Sequence, residues 1–163
     1  MVEDRLERFW GFSADLYARP GVETALLALQ DEDGLDVSLL LFCFYVASRD
    51  RAVDEELAAA MIAVGENWGM RVVAPLRAVR RELKHLAPDG TLRAEVKRLE
   101  LAAERVMHAE LEALLPAEAD TDAGDRRALA ERNLSTWLGA RNLALTAPAR
   151  RARLAVVLDR AFP

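Results

Sequence analysis

Cysteine is almost absent from this sequence, and the single Cys43 excludes an intramolecular disulfide framework and any cysteine-cluster metal site. One thiol inside an apolar run suits a reducing compartment, so the expected location is the cytoplasm. Long apolar stretches are missing as well. The longest, from Val37 to Ala47, is about half of the ~18 residues that a membrane span needs, and Ser38 interrupts it. The N-terminus, MVEDRLERFW, carries charge from its third residue and lacks the apolar core of a secretory signal. Nor is there an excess of positive charge. A formal net charge of −5 excludes a protein whose main task is to coat nucleic acid or an anionic membrane. With 8 glycines the chain has no Gly-x-Gly-x-x-Gly and no Walker loop, and none of Ser13, Ser38, Ser48 and Ser135 stands in a Gly-x-Ser-x-Gly context.

What the 163 residues do contain is 52% apolar and 30% charged side chains, a globular composition with enough chain to bury a core without metal or disulfides. Ala, Leu, Arg and Glu dominate, β-branched residues are sparse, and no segment alternates with period two. The expected fold is all-α: a single-domain bundle of about seven to eight helices around a central apolar third helix. Residues 1–115 form its core, 116–125 an acidic linker loop, and 126–163 C-terminal helices packed on the core or swapped in a dimer.

The spacing places a first helix over Val2 to Tyr17, with Leu6, Phe9, Trp10, Ser13, Leu16 and Tyr17 on one stripe. Pro20 opens a second helix that ends near Gln30. AspGluAspGlyLeuAsp, 31–36, is a turn whose Asp36 caps the third helix, Val37 to Arg49. That helix is apolar nearly all round, with Leu40, Leu41 and Phe44 at the centre of the bundle. A fourth helix runs from the acids at 54–56 to Trp68, where Gly65 and Gly69 weaken its end. A fifth spans Val72 to Leu86 with Val72, Leu76, Val79, Leu83 and Leu86 inward, and Pro75 in its first turn. After the ProAspGly turn, Thr91 caps a sixth helix from Leu92 to Leu115, with Leu92, Val96, Leu99, Ala103, Met107, Leu111 and Leu114 inward. Two further helices follow, Arg126 to Leu138 and Pro148 to Phe162.

Chemistry-bearing patterns are few. Glu82 and His85 make one Glu-x-x-His step, but His108 is four residues from Glu104, the wrong register for the second copy that a di-metal bundle needs. Aligning Gly34 with the glycine of a calcium loop puts Leu29 and Leu40 where oxygen ligands belong. No catalytic residue, metal ligand or cofactor is therefore assigned. Two surface features remain. Arg77, Arg80, Arg81 and Lys84 recur at i, i+3, i+4 and i+7 and collect on one helix face, and Asp31, Glu32 and Asp33 form an acidic turn. These seven residues are the expected partner-binding set, for an acidic protein partner or for a second copy in a homodimer. Trp10, Tyr17, Phe44, Tyr45 and Trp68 are the expected lining of an internal ligand pocket. The leading expectation is a non-enzymatic protein acting through protein contacts. The alternative is a bundle that holds a small apolar or amphipathic ligand.

Residues 17–43, from TyrAlaArgProGlyVal through LeuGlnAspGluAspGlyLeuAspVal to the LeuLeuLeuPheCys run, resemble an uncharacterised family of short helical proteobacterial proteins, as do residues 72–84. The resemblance covers roughly residues 9–85. It implies a bacterial cytoplasmic protein and lends no catalytic residue.

Overall fold

The computed structural model describes residues 7–86, 90–116, 124–143 and 147–163. Its elements are α1 (Arg8–Tyr17), α2 (Val22–Asp31), α3 (Val37–Ser48), α4 (Glu55–Val64), a π-helical segment (Gly65–Val73), α5 (Ala74–Leu86), α6 (Thr91–Ala113), α7 (Arg126–Ala140) and α8 (Pro148–Ala161). The described residues are all-helical, with no strand among them. The start of the expected first helix, Pro88 and Asp89 of the ProAspGly turn, and most of the acidic linker lie outside the described residues.

α3 is the axis of the fold. Leu40, Phe42, Cys43 and Phe44 are inaccessible to solvent, and α1, α2, α6 and α7 surround them. Each fully buried side chain of this size contributes roughly 1.5–3 kcal/mol relative to an exposed one. Asp36 caps this helix as expected, its Oδ1 accepting from the Leu39 amide at 3.2 Å. The C-terminal helices pack on the core within the chain: α7 runs along α3 and α8 along α2. Asn133 of α7 fixes that docking. Its Oδ1 accepts from the Val53 amide at 2.8 Å, and its Nδ2 donates to the carbonyls of Cys43 and Arg51.

Glu112 of α6, buried, ties three helices together. It accepts from the Phe9 amide at 2.8 Å and from the Tyr45 hydroxyl at 2.6 Å. The Phe9 amide belongs to the first turn of α1, where helical N–H groups have no partner within the helix, so a carboxylate from α6 caps α1.

Several local expectations are corrected. Pro20 precedes α2 instead of opening it, and Gly21, at φ 83°, supplies the left-handed turn into Val22. Thr91 is the first residue of α6, and Gly90 holds the capping position. No break separates Trp68 from Val72: α4, the π segment and α5 form one continuous rod. Glycine lowers helix propensity by only about 1 kcal/mol, which neighbours that need a close approach outweigh. α5 buries none of its residues, and Val79 and Leu86 are exposed rather than inward. Leu92 and Leu99 of α6 are exposed too. Both departures have one cause: α5 packs chiefly on α6 and on the π segment, so the outer apolar residues of the two helices have no neighbour to face. α6 turns Val96, Glu100, Ala103, Met107 and Leu111 inward.

Candidate functional site

A cavity of about 780 Å³ opens between α1, α2, the start of α3, the π segment, α5 and α6. Its position follows from the two glycines. Gly65 and Gly69, four apart on the rod, face the N-terminus of α3. A Cβ on Gly69 would stand 2.7 Å from Asp36 Oδ2, and one on Gly65 would stand 2.8 Å from Leu39 Cδ1. Larger residues would drive the rod away from α3. The π segment, a form that recurs at functional sites, then forms one wall of the cavity through Met70 and Val73.

The deep end is polar and uncharged on one side. α1 contributes Trp10, Ser13 and Tyr17, and α6 contributes Met107 and His108. Ser13 and His108 are 5% and 4% exposed. Ser38 Oγ lies 3.1 Å from His108 Nε2, and the Phe9 ring stacks on the imidazole with centroids 4.2 Å apart. Among the described residues, Ser13 Oγ and His108 Nδ1 are buried without a hydrogen-bond partner, each at a cost of about 1–3 kcal/mol. Burial holds the His108 pKa down to about 4, so the ring is neutral at pH 7. Asp36 lines the same space. Burial raises its carboxyl above the usual range, against the pull of the Leu39 and Ser38 amides.

The mouth is charged and self-paired. Arg77 Nε donates to Glu100 Oε1 at 2.9 Å and Arg77 Nη2 to Glu104 Oε1 at 2.7 Å, while Arg80 donates to both oxygens of Glu100. Burial pushes Glu100 up, but the Arg80 and Arg77 hydrogen bonds outweigh it and hold the carboxyl low. Glu104 moves the other way, raised by burial. Burial and the neighbouring Glu104 take the Tyr17 phenol to about 12.

Of the expected partner-binding set, Arg81 and Asp31 meet within this one chain, and the other members do not come together. Arg81 donates to Asp31 at 2.8 Å, Asp33 accepts from Arg150 at 3.3 Å and from Arg153 at 2.9 Å, and Glu32 also accepts from Arg153. Arg77 and Arg80 turn to α6, and Lys84 is exposed. Of the expected pocket residues, Trp10 and Tyr17 line the cavity. Phe44, Tyr45 and Trp68 do not: Phe44 packs against Phe162, Tyr45 bonds Glu112, and Trp68 packs on the core from the π segment. Sequence reasoning missed Ser13, Asp36, Ser38, Glu104 and His108 as cavity residues. Their signals were present, a serine on an apolar stripe and a histidine beside an inward methionine, but only the packing of α1 against α6 gives them a shared space.

A family model described as a protein of unknown function, DUF2390, matches residues 8–111. The chain belongs to DUF2390. No curated protein and no solved structure matches it. The DUF2390 region holds α1 to α5 and nearly all of α6, and so every described wall of the cavity except Arg141. The family match thus coincides with the site, while α7 and α8 lie beyond it. No helix among the described residues is long and apolar enough to cross a membrane.

Proposed function

We propose that this DUF2390 protein binds a small amphipathic molecule in the cavity between α1, α6 and the π segment. The observation that carries the reading is that Ser13 and His108, whose Oγ and Nδ1 are buried without partners, line a cavity whose apolar part is Trp10, Leu27, Ile62, Met70, Val73 and Met107 and whose mouth is charged. About 780 Å³ falls within the roughly 300–1,000 Å³ of small-molecule sites, which are mostly apolar with a few placed polar groups. Cys43 supports a reducing, cytoplasmic setting: it is buried, and desolvation raises its thiol pKa far above the usual value.

The test is titration with N-phenylnaphthylamine, a neutral apolar dye whose emission rises on leaving water. The parent binds it saturably, one per chain. Ala14→Trp and Leu27→Trp, at exposed positions that line the cavity, weaken that binding by about tenfold or more while the fold is kept. Absence of saturable binding, or equal binding by both variants, overturns the reading.

Association of two copies is the second reading. It rests on exposed apolar side chains seven residues apart, Val79 and Leu86 on α5 and Leu92, Leu99 and Val106 on α6. The paired charges of Asp31, Glu32, Asp33, Arg77, Arg80 and Arg81 support this role less than the apolar stripes do. Light scattering decides it: a dimer that Leu99→Glu converts to a monomer supports the reading, and a monomeric parent removes it.

A further inference from the structure

The cavity's polar groups differ in what they lack, and that difference specifies a ligand. Arg77 and Arg80 are taken up by Glu100 and Glu104, and Arg81 by Asp31, so the arginines of the mouth already have counter-ions. Asp36 is in the opposite condition. Its Oδ1 caps α3, and its Oδ2 points across the bare backbone of Gly69. Among the described residues no cation pairs with it; Arg141 and Arg77 act on it only from a distance. Ser13 and His108 line the same cavity, and their Oγ and Nδ1 are buried and without partners. With the ring proton on Nε2, directed at Ser38 Oγ, Nδ1 presents a lone pair. The deep end therefore offers a carboxylate and two neutral acceptors.

We propose that the head group recognised here is a protonated amine carried on an apolar tail, its N–H groups accepted at the Asp36, Ser13 and His108 end of the cavity. The inference rests on the ligand-binding reading above and narrows it. An ammonium group has three donors and no acceptor, which matches the Asp36 carboxylate and the lone pairs of Ser13 and His108. The neutral His108 ring adds no opposing charge. An anionic head group would meet Asp36 and Glu104, while Arg77, Arg80 and Arg81 are already engaged. A neutral hydroxyl would serve Ser13 and His108 but leave Asp36 without a counter-charge.

Octylamine, octanol and octanoate share one tail and differ in head-group charge, so calorimetric titration of the whole chain with each, at neutral pH, separates the classes. Octylamine binds at least about tenfold more tightly than either of the others, in line with a charge-assisted contact. Asp36→Asn keeps an amide oxygen for the helix cap, since Asn and Asp are equivalent there. It reduces octylamine to the affinity of octanol and leaves octanol unchanged. Ser13→Ala, which does not touch the cap, weakens octylamine several-fold. Equal or tighter binding of octanol or octanoate overturns the amine assignment, as does an Asp36→Asn protein that folds and keeps the amine preference. If none of the three binds while N-phenylnaphthylamine does, the amine assignment fails and the cavity reading stands; if the dye fails too, both fall.

Discussion

Asp36 and Gly69 stand so close that a Cβ on the glycine would lie 2.7 Å from Asp36 Oδ2. The carboxylate cannot simply swing aside, because its other oxygen holds the Leu39 amide. Replacing a glycine in an exposed helix by alanine stabilises by roughly 0.5–1 kcal/mol. Here Gly69→Ala destabilises by about 1 kcal/mol, the scale of a lost N-cap. In an Asp36→Ala background, itself about 1 kcal/mol less stable than the parent, the same Gly69→Ala change is neutral or stabilising. Chemical denaturation of the four proteins measures this coupling, and additive effects would show that the two residues do not constrain each other.

His108 gives the fold an acid-sensitive element. Its folded pKa of about 4 lies below the ordinary 6.5, so its contribution is complete above pH 6.5 and is lost as pH falls through 4. The shift corresponds to a loss on the order of 3 kcal/mol across that window. Asp36 and Glu104, whose pKa values are raised, act in the opposite sense: their contribution is present below their ordinary values and is lost as pH rises through the folded ones. Denaturation midpoints of the parent therefore fall between pH 6.5 and 4, and His108→Gln flattens that fall. An unchanged slope in the variant would show that His108 does not carry the fall, since the carboxylates that arginines hold low, Glu100 and Asp31, lose their contribution only below their ordinary values of 4.5 and 3.8.

Glu112 carries more than one bond. Glu112→Ala leaves the Phe9 amide and the Tyr45 hydroxyl proton without an acceptor in the core, and costs about 3–5 kcal/mol. Tyr45→Phe removes a single donor and costs about 1–2 kcal/mol. Burial, followed by the Glu112 hydrogen bond, raises the Tyr45 phenol to about 12. Spectroscopic titration of the folded parent accordingly shows both tyrosines, Tyr17 and Tyr45, resisting ionisation at pH 10, and in Tyr45→Phe the resistant signal falls to that of Tyr17 alone.

Leu40 tests the axis. It is fully buried in α3, and Leu40→Ala costs about 2–5 kcal/mol in lost transfer energy and cavity formation. Thermal and chemical unfolding measure it, and a loss below about 1 kcal/mol would contradict the central place of α3.

Much of this architecture was legible in the residues. The all-round apolarity of Val37 to Ser48 marked α3 as central, and Asp36 as its cap, because capping and burial act locally. The α4–α5 rod was not legible: two glycines read as a break, whereas their role is to let Asp36 and Leu39 approach, a demand made by residues some 30 positions away. The basic stripe read as a partner-binding face for the same reason. Its periodicity showed one face of a helix, but only the neighbouring Glu100 and Glu104 turn Arg77 and Arg80 inward. The cavity was half legible. Trp10 and Tyr17 sit on the α1 stripe that predicted them, while Phe44 and Tyr45 were drawn into the core that their neighbours build.

The central claim, that the space between α1, α6 and the π segment receives a ligand, is tested most directly by amide chemical-shift mapping. Isotope-labelled chain is titrated with N-phenylnaphthylamine, and the shifts are followed to saturation. The account predicts changes concentrated at Ser13, Asp36 to Leu39, Gly65 to Val73, Met107 and His108, with little effect along α7 and α8. Shifts confined to the exposed faces of α5 and α6, or no saturable change at all, would contradict it.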